Sequence, residues 1–378
     1  MKFCGWLSGL VLTCGVLTAV HGVAEYKRCA GDINNLWIDI VLVIDNSAIN
    51  NLDGVYDTIK GMFGANVTIG PDHKKQPRTT RVAIVTYSDE SNVEADFDKF
   101  TSLDQLYAKL DKLNKAGKTD SFDALLDLGL QEANHLITRS NNIRERSNYK
   151  KLIVVFTSNY AYQDSRPDVL AQSIRDTGVY ISTVYTGETT TGNVQRMLSF
   201  VGNYNMNFHM KDTTPIVEEL QNATTIVNCY CPNGWYQYES PRNSDNFFAV
   251  CVGSLNDKGY QTEAQKACHQ EKGGYLATEF DKSKRAFNYY TLTNGGSTTV
   301  NSYYNGLMSV NGSWYWDQPK GLPMLPLDPS SGTVPATSGC VADVKFSDGS
   351  IAWASVSCGN RFPYLCEMAA CDTDNYCL

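Results

Sequence analysis

Six cysteines, Cys231, Cys251, Cys268, Cys340, Cys358 and Cys366, are the residues whose type and spacing point most directly to chemistry. That chemistry is oxidation in pairs. Opened by Cys231-Pro-Asn-Gly-Trp235 and punctuated by Trp314, Trp316 and Trp353, the group describes a small, loop-rich module stapled by disulfides. Such a module presents surface for recognition more readily than it builds a catalytic cleft. The histidines left beyond the N-terminal leader, His73, His135, His209 and His269, are isolated from one another. No His-Glu-x-x-His or Gly-x-Ser-x-Gly pattern occurs. Ala116-Gly-Lys-Thr119 has the form of the end of a phosphate loop, but Lys112 stands where that loop needs a glycine. No catalytic residue is assigned, and the chain is expected not to be an enzyme.

The N-terminus sets the expected compartment. Lys2, the apolar stretch from Leu10 to Val20 and the small residues around Gly22 and Ala24 read as a secretory signal peptide over residues 1–24. The stretch is interrupted by Cys14, Gly15 and Thr18 and is too short to span a bilayer comfortably. Of twelve cysteines, Cys4 and Cys14 leave with the peptide, so ten remain, an even number that favours complete pairing outside the cell. No later segment reads as membrane-spanning, and the protein is expected to be secreted. The net charge is −8, and the only local basic cluster is Lys74, Lys75, Arg78 and Arg81, read as a solvated loop rather than a nucleic-acid patch. Asn66, Asn222 and Asn311 each open a glycosylation sequon.

The elements that must position these residues fall into two groups. Ile40–Ile44, Val82–Val85, Leu152–Phe156 and Val179–Val184 are continuous apolar runs, as strands buried on both faces require. Between them, Phe122, Leu125, Leu126, Leu130, Ala133, Leu136 and Ile137 predict one helical stripe. Another helix is predicted from near Ser165, with Pro167 in its first turn, to Gly178. Strands alternating with helices imply a doubly wound, mostly parallel α/β sheet over residues 29–229. Beyond Cys231 the regular elements fade into a disulfide-rich α+β module over residues 231–367, followed by a tail, 368–378. Thr262 and Gln265 read as a capping box, Asp281 starts a second helix, and the proline-rich stretch from Asp317 to Gly339 is a long loop.

The first module resembles a von Willebrand factor A domain, through Asp45 at the end of Ile-Asp-Asn-Ser, the strand Arg81–Ser88 and Gly117-Lys-Thr119 before the central helix. The second resembles a long-form C-type lectin-like domain. Its signature is Cys231-Pro-Asn-Gly-Trp235, the helix bearing Cys268, Gly306-Leu307, Trp314-Tyr-Trp316 and the trio Cys340, Cys358 and Cys366. That resemblance implies bridges Cys231–Cys251, Cys268–Cys366 and Cys340–Cys358, although spacing alone does not fix connectivity. Cys29 and Cys229 flank the first module and are paired to bring its ends together, which leaves Cys371 with Cys377. The pair of modules resembles secreted A-domain plus lectin proteins of nematodes.

A-domains of the adhesive type bind Mg²⁺ through Asp-x-Ser-x-Ser, a Thr and a later Asp. Asp45, Ser47 and Thr119 fit, but Ile49 replaces the second serine and Ser158 the later aspartate. Asp120 and Asp123 could compensate but read as decoration of the central helix. Calcium-dependent lectins use Glu-Pro-Asn or Gln-Pro-Asp and Trp-Asn-Asp; here stand Asp328-Pro329-Ser330 and Trp353-Ala354-Ser355. Neither set holds a hard dication, so no metal and no cofactor are expected. Asp328, Pro329 and Ser330 remain as ligand-contacting candidates, and Tyr303 and Tyr304, with Trp314 and Tyr315, as aromatic faces for a sugar. Trp314, Trp316 and Trp353 also stand where the lectin family keeps core aromatics.

Together these features imply a secreted recognition protein that binds carbohydrate or a microbial surface in innate defence, with the A-domain contacting a protein partner. The competing reading is an extracellular structural or adhesion protein that uses both modules for protein contacts only. Glycan or protein partners are expected, nucleic acid is not. A single residue between Cys229 and Cys231 implies restricted motion between the modules.

Overall fold

The computed structural model describes residues 25–70, 76–141, 146, 148–159, 166–187, 192–211, 214–241, 247–271, 273–293, 299–329, 332–334 and 339–377. The leader, Lys74, Lys75, Ser165 and Ser330 lie outside these, and nothing structural is said of them.

The first module holds a 3-10 turn Ile33–Asn35, then β1 (Asp39–Asp45), α1 (Val55–Gly61), β2 (Arg81–Tyr87), β3 (Ser91–Ala95) and α2 (Leu103–Ala116). It continues with α3 (Leu126–Asn141), β4 (Lys151–Thr157), α4 (Pro167–Asp176), β5 (Tyr180–Tyr185), α5 (Gly192–Val201), β6 (Asn207–His209) and α6 (Ile216–Val227). The sheet runs β3-β2-β1-β4-β5-β6, parallel throughout except for the β2–β3 pair. The period of two in β1 splits its side chains between two cores. Ile40, Leu42 and Ile44 face α1, α2 and α6, while Val41 and Val43 face α3, α4 and α5. This is why the strands read as unbroken apolar runs.

The helical stripe starts later than its pattern predicts. Helix α3 begins at Leu126, and Phe122 lies in the preceding loop with 73% of its surface exposed. Apolar spacing places a residue on a stripe but does not say where the backbone enters the helix. Gly129 fixes how closely α3 approaches the sheet: a Cβ there would lie 2.8 Å from Tyr87 Cδ1 and 2.9 Å from Val43 Cγ1.

At the opposite end of the strands from Asp45, Asp39 is fully buried among three cations. Arg81 donates to it at 2.7 and 3.0 Å, Arg146 at 2.6 and 3.1 Å, and Lys151 at 2.5 Å. Burial alone would raise the Asp39 pKa, but Lys151, Arg81 and Arg146 outweigh it and hold the carboxyl well below the usual range. Its pairing therefore stabilises the fold above the ordinary carboxylate pKa, and that contribution is lost as pH falls.

The second module comprises β7 (Tyr236–Glu239), β8 (Phe247–Gly259), α7 (Gln261–Cys268), β9 (Tyr275–Leu276), α8 (Lys282–Leu292), β10 (Ser302–Tyr303) and β11 (Leu307–Val310). It ends with β12 (Ser313–Trp316), β13 (Leu325–Pro326), β14 (Cys340–Lys345), β15 (Ile351–Val356) and β16 (Phe362–Ala369). Three small sheets form: β7-β8-β16-β9, β10-β14-β15 and β11-β12-β13. Asn311 and Gly312, with φ of 52° and 82°, make the tight β11–β12 turn. Helix α7 starts one residue before the expected cap: Tyr260 precedes it, and its N–H donates to the Glu263 carboxylate at 3.3 Å. Asp281 caps α8, accepting from Lys284 N at 2.8 Å.

Five disulfides join Cys29–Cys229, Cys231–Cys251, Cys268–Cys366, Cys340–Cys358 and Cys371–Cys377. The chain ends exchange modules. Upstream of Cys29, Tyr26 packs into the second module with Tyr238, Val252 and Leu365, and its hydroxyl accepts from Phe280 N at 2.7 Å. Downstream of β16, the expected tail is a docked strap. Tyr230 and Cys371 exchange backbone hydrogen bonds at 2.9 Å, and Trp37 Nε1 donates to Asp372 O at 3.0 Å. Ala30 and Asp32 N–H groups donate to the side chains of Asp372 and Thr373 at 2.9 and 3.1 Å.

Trp37 is fully buried, edge-on to Tyr149 and Tyr376. Trp37→Ala is expected to cost about 3–5 kcal/mol, the range for deleting a buried aromatic. Denaturant unfolding followed by calorimetry should show the loss together with separation of one transition into two; an unchanged single transition would contradict a joint held by this residue.

Candidate functional site

Two places could carry function: the end of the first sheet at Asp45 and the long-loop side of the second module. Asp45 ends β1 and is fully buried. It accepts from Ser47 N at 2.9 Å, and the Thr157 hydroxyl of β4 lies 2.8 Å from its other oxygen. The Thr157 hydroxyl also faces Asn159 O. Burial is the larger influence and pushes the Asp45 pKa up, against the hydrogen bonds from Ser47 and Thr157 and the charge of Lys118.

The neighbouring residue Asn50, which sequence reasoning missed, closes this end of the sheet. Its Nδ2 donates to Asp45 O, while its Oδ1 accepts from Ser158 N and from the Thr186 hydroxyl, both at 2.8 Å. One buried amide thus ties the ends of β1, β4 and β5 together. Lys118 adds a charge from the loop before α3, its Nζ donating to Asn50 O at 3.0 Å. Asn50 stands just beyond the metal pattern, so its residue type carried no signal; only its three partners reveal the role.

The donor set does not fit a divalent ion. The Ser47 hydroxyl is buried with no hydrogen-bond partner and is a usable ligand. The Thr119 hydroxyl already donates to Asn46 O at 3.3 Å, and Ser158 faces Asn51 N and Ile49 O. Ile49 contributes no donor and is 38% exposed at the rim. One buried carboxylate and one open hydroxyl cannot replace the six to eight oxygens that a hard dication demands. Asp120 is exposed and unengaged with the pair, and Asp123 turns its N–H to Ser121 Oγ at 3.2 Å. Ile49 and Phe122 are exposed apolar side chains of the loops at this end.

On the second module the expected sugar platform is corrected. Tyr303 and Tyr304 are buried and offer no face to a ligand. Tyr303 OH donates to Glu279 Oε1 at 2.9 Å, and Tyr304 OH to Asn360 O at 2.9 Å. Glu279 is the hub of a buried polar network: it also accepts from Asn288 at 3.0 Å, Arg285 at 3.1 Å and Trp353 Nε1 at 3.0 Å. Arg285 reaches Asp343 at 3.2 Å as well. Burial and the nearby Glu279 push the Asp343 pKa well up. Tyr303 therefore holds an acid that polar spacing could not place, while Tyr304 holds a backbone carbonyl. Trp316 and Trp353 are buried, whereas Trp314 and Tyr315 of β12 are half-buried. Asp328 is half-buried and engaged, and Pro329 is exposed. The cis peptide among the described residues is Ser240–Pro241, not the bond to Pro329 that the lectin resemblance favours. Among the described residues no group of three or more His, Cys, Asp or Glu side chains could hold a metal ion.

Two variants test the closed end of the sheet. Because folding favours protonated Asp45, its contribution is fully present at low pH and is lost as pH rises from the ordinary carboxylate value to the raised native one. Asp45→Asn should flatten that loss in thermal melts taken upward from about pH 4; a variant with the wild-type pH slope would show that Asp45 is not its source. Asn50→Ala strands a backbone N–H and a hydroxyl, so urea unfolding should lose about 1–3 kcal/mol.

Two family models match the chain: the von Willebrand factor type A domain over residues 39–223 and the lectin C-type domain over residues 258–368. "C-type lectin domain-containing protein 160" of Caenorhabditis elegans is 27% identical over 94% of this chain, which spans 57% of that relative's length. Among solved structures, proximal thread matrix protein 1 from the mussel byssus, with a zinc occupied MIDAS motif, is 18% identical, covers 52% of this chain and 48% of its own and has a TM-score of 0.42. Human lithostathine is 23% identical over 37% of this chain and 90% of its own, with a TM-score of 0.28. Five disulfides, and no described helix long and apolar enough to cross a membrane, are consistent with an extracellular protein. The chain is built from a von Willebrand factor type A domain followed by a C-type lectin domain.

Proposed function

We propose that this is a secreted, non-enzymatic protein that recognises carbohydrate on microbial surfaces in innate defence, and that neither module needs a divalent ion to do so. The observation that carries this reading is the closed sheet end. Asn50 and the hydrogen bonds at Asp45 engage the polar groups at the ends of β1, β4 and β5, which supports a site closed without an ion. Exposed apolar side chains at the same end, Phe122 at 73% and Ile49 at 38%, suit a protein partner bound by shape. On the lectin module, the long-loop pattern retains the single acid Asp328, so a sugar is met by half-buried Trp314 and Tyr315 and by backbone polar groups.

The test is a glycan array and a panel of microbial cells, probed with the whole protein with and without chelator. Binding that is unchanged by chelation is expected. Binding abolished by chelation and restored by calcium would overturn the metal-free reading. Silence on every glycan and cell type would overturn the carbohydrate reading in favour of a matrix role. Phe122→Asp should leave glycan binding intact and weaken capture of a protein partner.

A further inference from the structure

A groove of about 330 Å³ lies on the flank of the A-domain, between α6, the chain leading into β6 and Phe247 of the lectin module. Its walls include Tyr204, Met206, Phe208, Ile226 and Phe247. Two of these side chains are unusually open to water: Tyr204 is 73% exposed and Ile226 40%. Together they form an apolar patch along the groove. Asn222 also lines the groove, stands exposed on α6 and opens the sequon Asn222-Ala-Thr224. Its place four residues before Ile226 puts both on the same helical face.

We propose that Asn222 carries an N-linked glycan whose first N-acetylglucosamine seats in this groove, its apolar face on the Tyr204 ring, so that the sugar covers the patch. The inference rests on the extracellular reading above, because the modification belongs to the secretory pathway. The Asn222 side-chain nitrogen gives up one proton and bonds to the anomeric carbon of a lipid-linked diphosphate oligosaccharide. The bond from that carbon to the diphosphate breaks, and the diphosphate leaves with the electron pair. Thr224, the third residue of the sequon, is buried in the folded helix with its hydroxyl donating to Leu220 O at 2.6 Å. Transfer therefore precedes folding of α6. The apolar walls then receive the sugar ring as the helix packs, since stacking on an aromatic face is the arrangement that buries a pyranose C–H surface. Phe247 at the rim brings the lectin module to the same sugar, which would sit across the two modules. Asn66 and Asn311 are exposed as well, and Asn311 lies at a hairpin tip. They serve as internal references.

The full chain, expressed in a eukaryotic secretory host, is examined by glycopeptide mass spectrometry and then by native digestion with peptide-N-glycosidase. Asn222 should be occupied, its glycan released at least tenfold more slowly than that of Asn311, and Tyr204→Ala should abolish the difference. Asn222→Gln should raise binding of a hydrophobic dye. An unmodified Asn222 beside an occupied Asn66 or Asn311 would overturn the proposal. So would release from Asn222 at the Asn311 rate, or slow release that Tyr204→Ala leaves untouched. Absence of sugar at all three sites would instead overturn the secretory reading on which it rests.

Discussion

A carboxyl group removed from water must be paired, hydrogen-bonded or protonated, and the structure at the end of the A-domain sheet follows from which of these Asp45 receives. Ile49 and Ser158 stand where the adhesive pattern has a serine and an acid, so neither position supplies its usual share of a dication's ligands. The chain instead supplies Ser47 N, the Thr157 hydroxyl and, through Asn50, an amide that bonds three strand ends at once. That amide takes on the cross-linking a bound ion performs in an adhesive A-domain, without its charge. The contrast with Asp39 is instructive. It lies at the other end of the same strand, equally buried, yet three cations hold it ionised. One strand thus carries a charged acid that locks the base and an acid driven toward neutrality at the face available for partners.

The second organising feature is the exchange of chain ends. Tyr26 completes the lectin core, while residues after β16 complete the packing around Trp37. The Cys29–Cys229 bridge closes the A-domain where these two crossings meet. A link of one residue between Cys229 and Cys231 is thus reinforced by a strap on each side. Backbone hydrogen bonds and aromatic packing thus cross between the modules on both sides of that link.

The strands were legible because β1, β2, β4 and β5 are covered on both faces and so carry unbroken apolar runs. The lectin framework was legible because cysteines are few and their spacing is restrictive. Other features escaped for physical reasons. Phe122 matched the α3 stripe by spacing, but periodicity cannot tell a helix from the loop that enters it. Tyr303 and Tyr304 were read as exposed because tyrosine is common on sugar-binding surfaces. Here Tyr303 serves the buried acid Glu279 and Tyr304 the backbone carbonyl of Asn360, both from segments distant in sequence. Asn50 had no distinguishing type or spacing, and its role exists only once three loops converge. The edge strands β3 and β6 are short and half-exposed, with too few apolar residues to announce themselves.

The central claim is that the Asp45 end of the A-domain is closed by the protein's own hydrogen bonds and not by a cation. The most direct measurement is anomalous diffraction from crystals of the whole chain soaked in manganese, whose signal identifies the ion without ambiguity. The account predicts no anomalous peak beside Asp45, with Asn50 seated between Ser158 and Thr186. A fully occupied manganese coordinated by Asp45, Ser47 and Thr119, with Asn50 displaced, would contradict it.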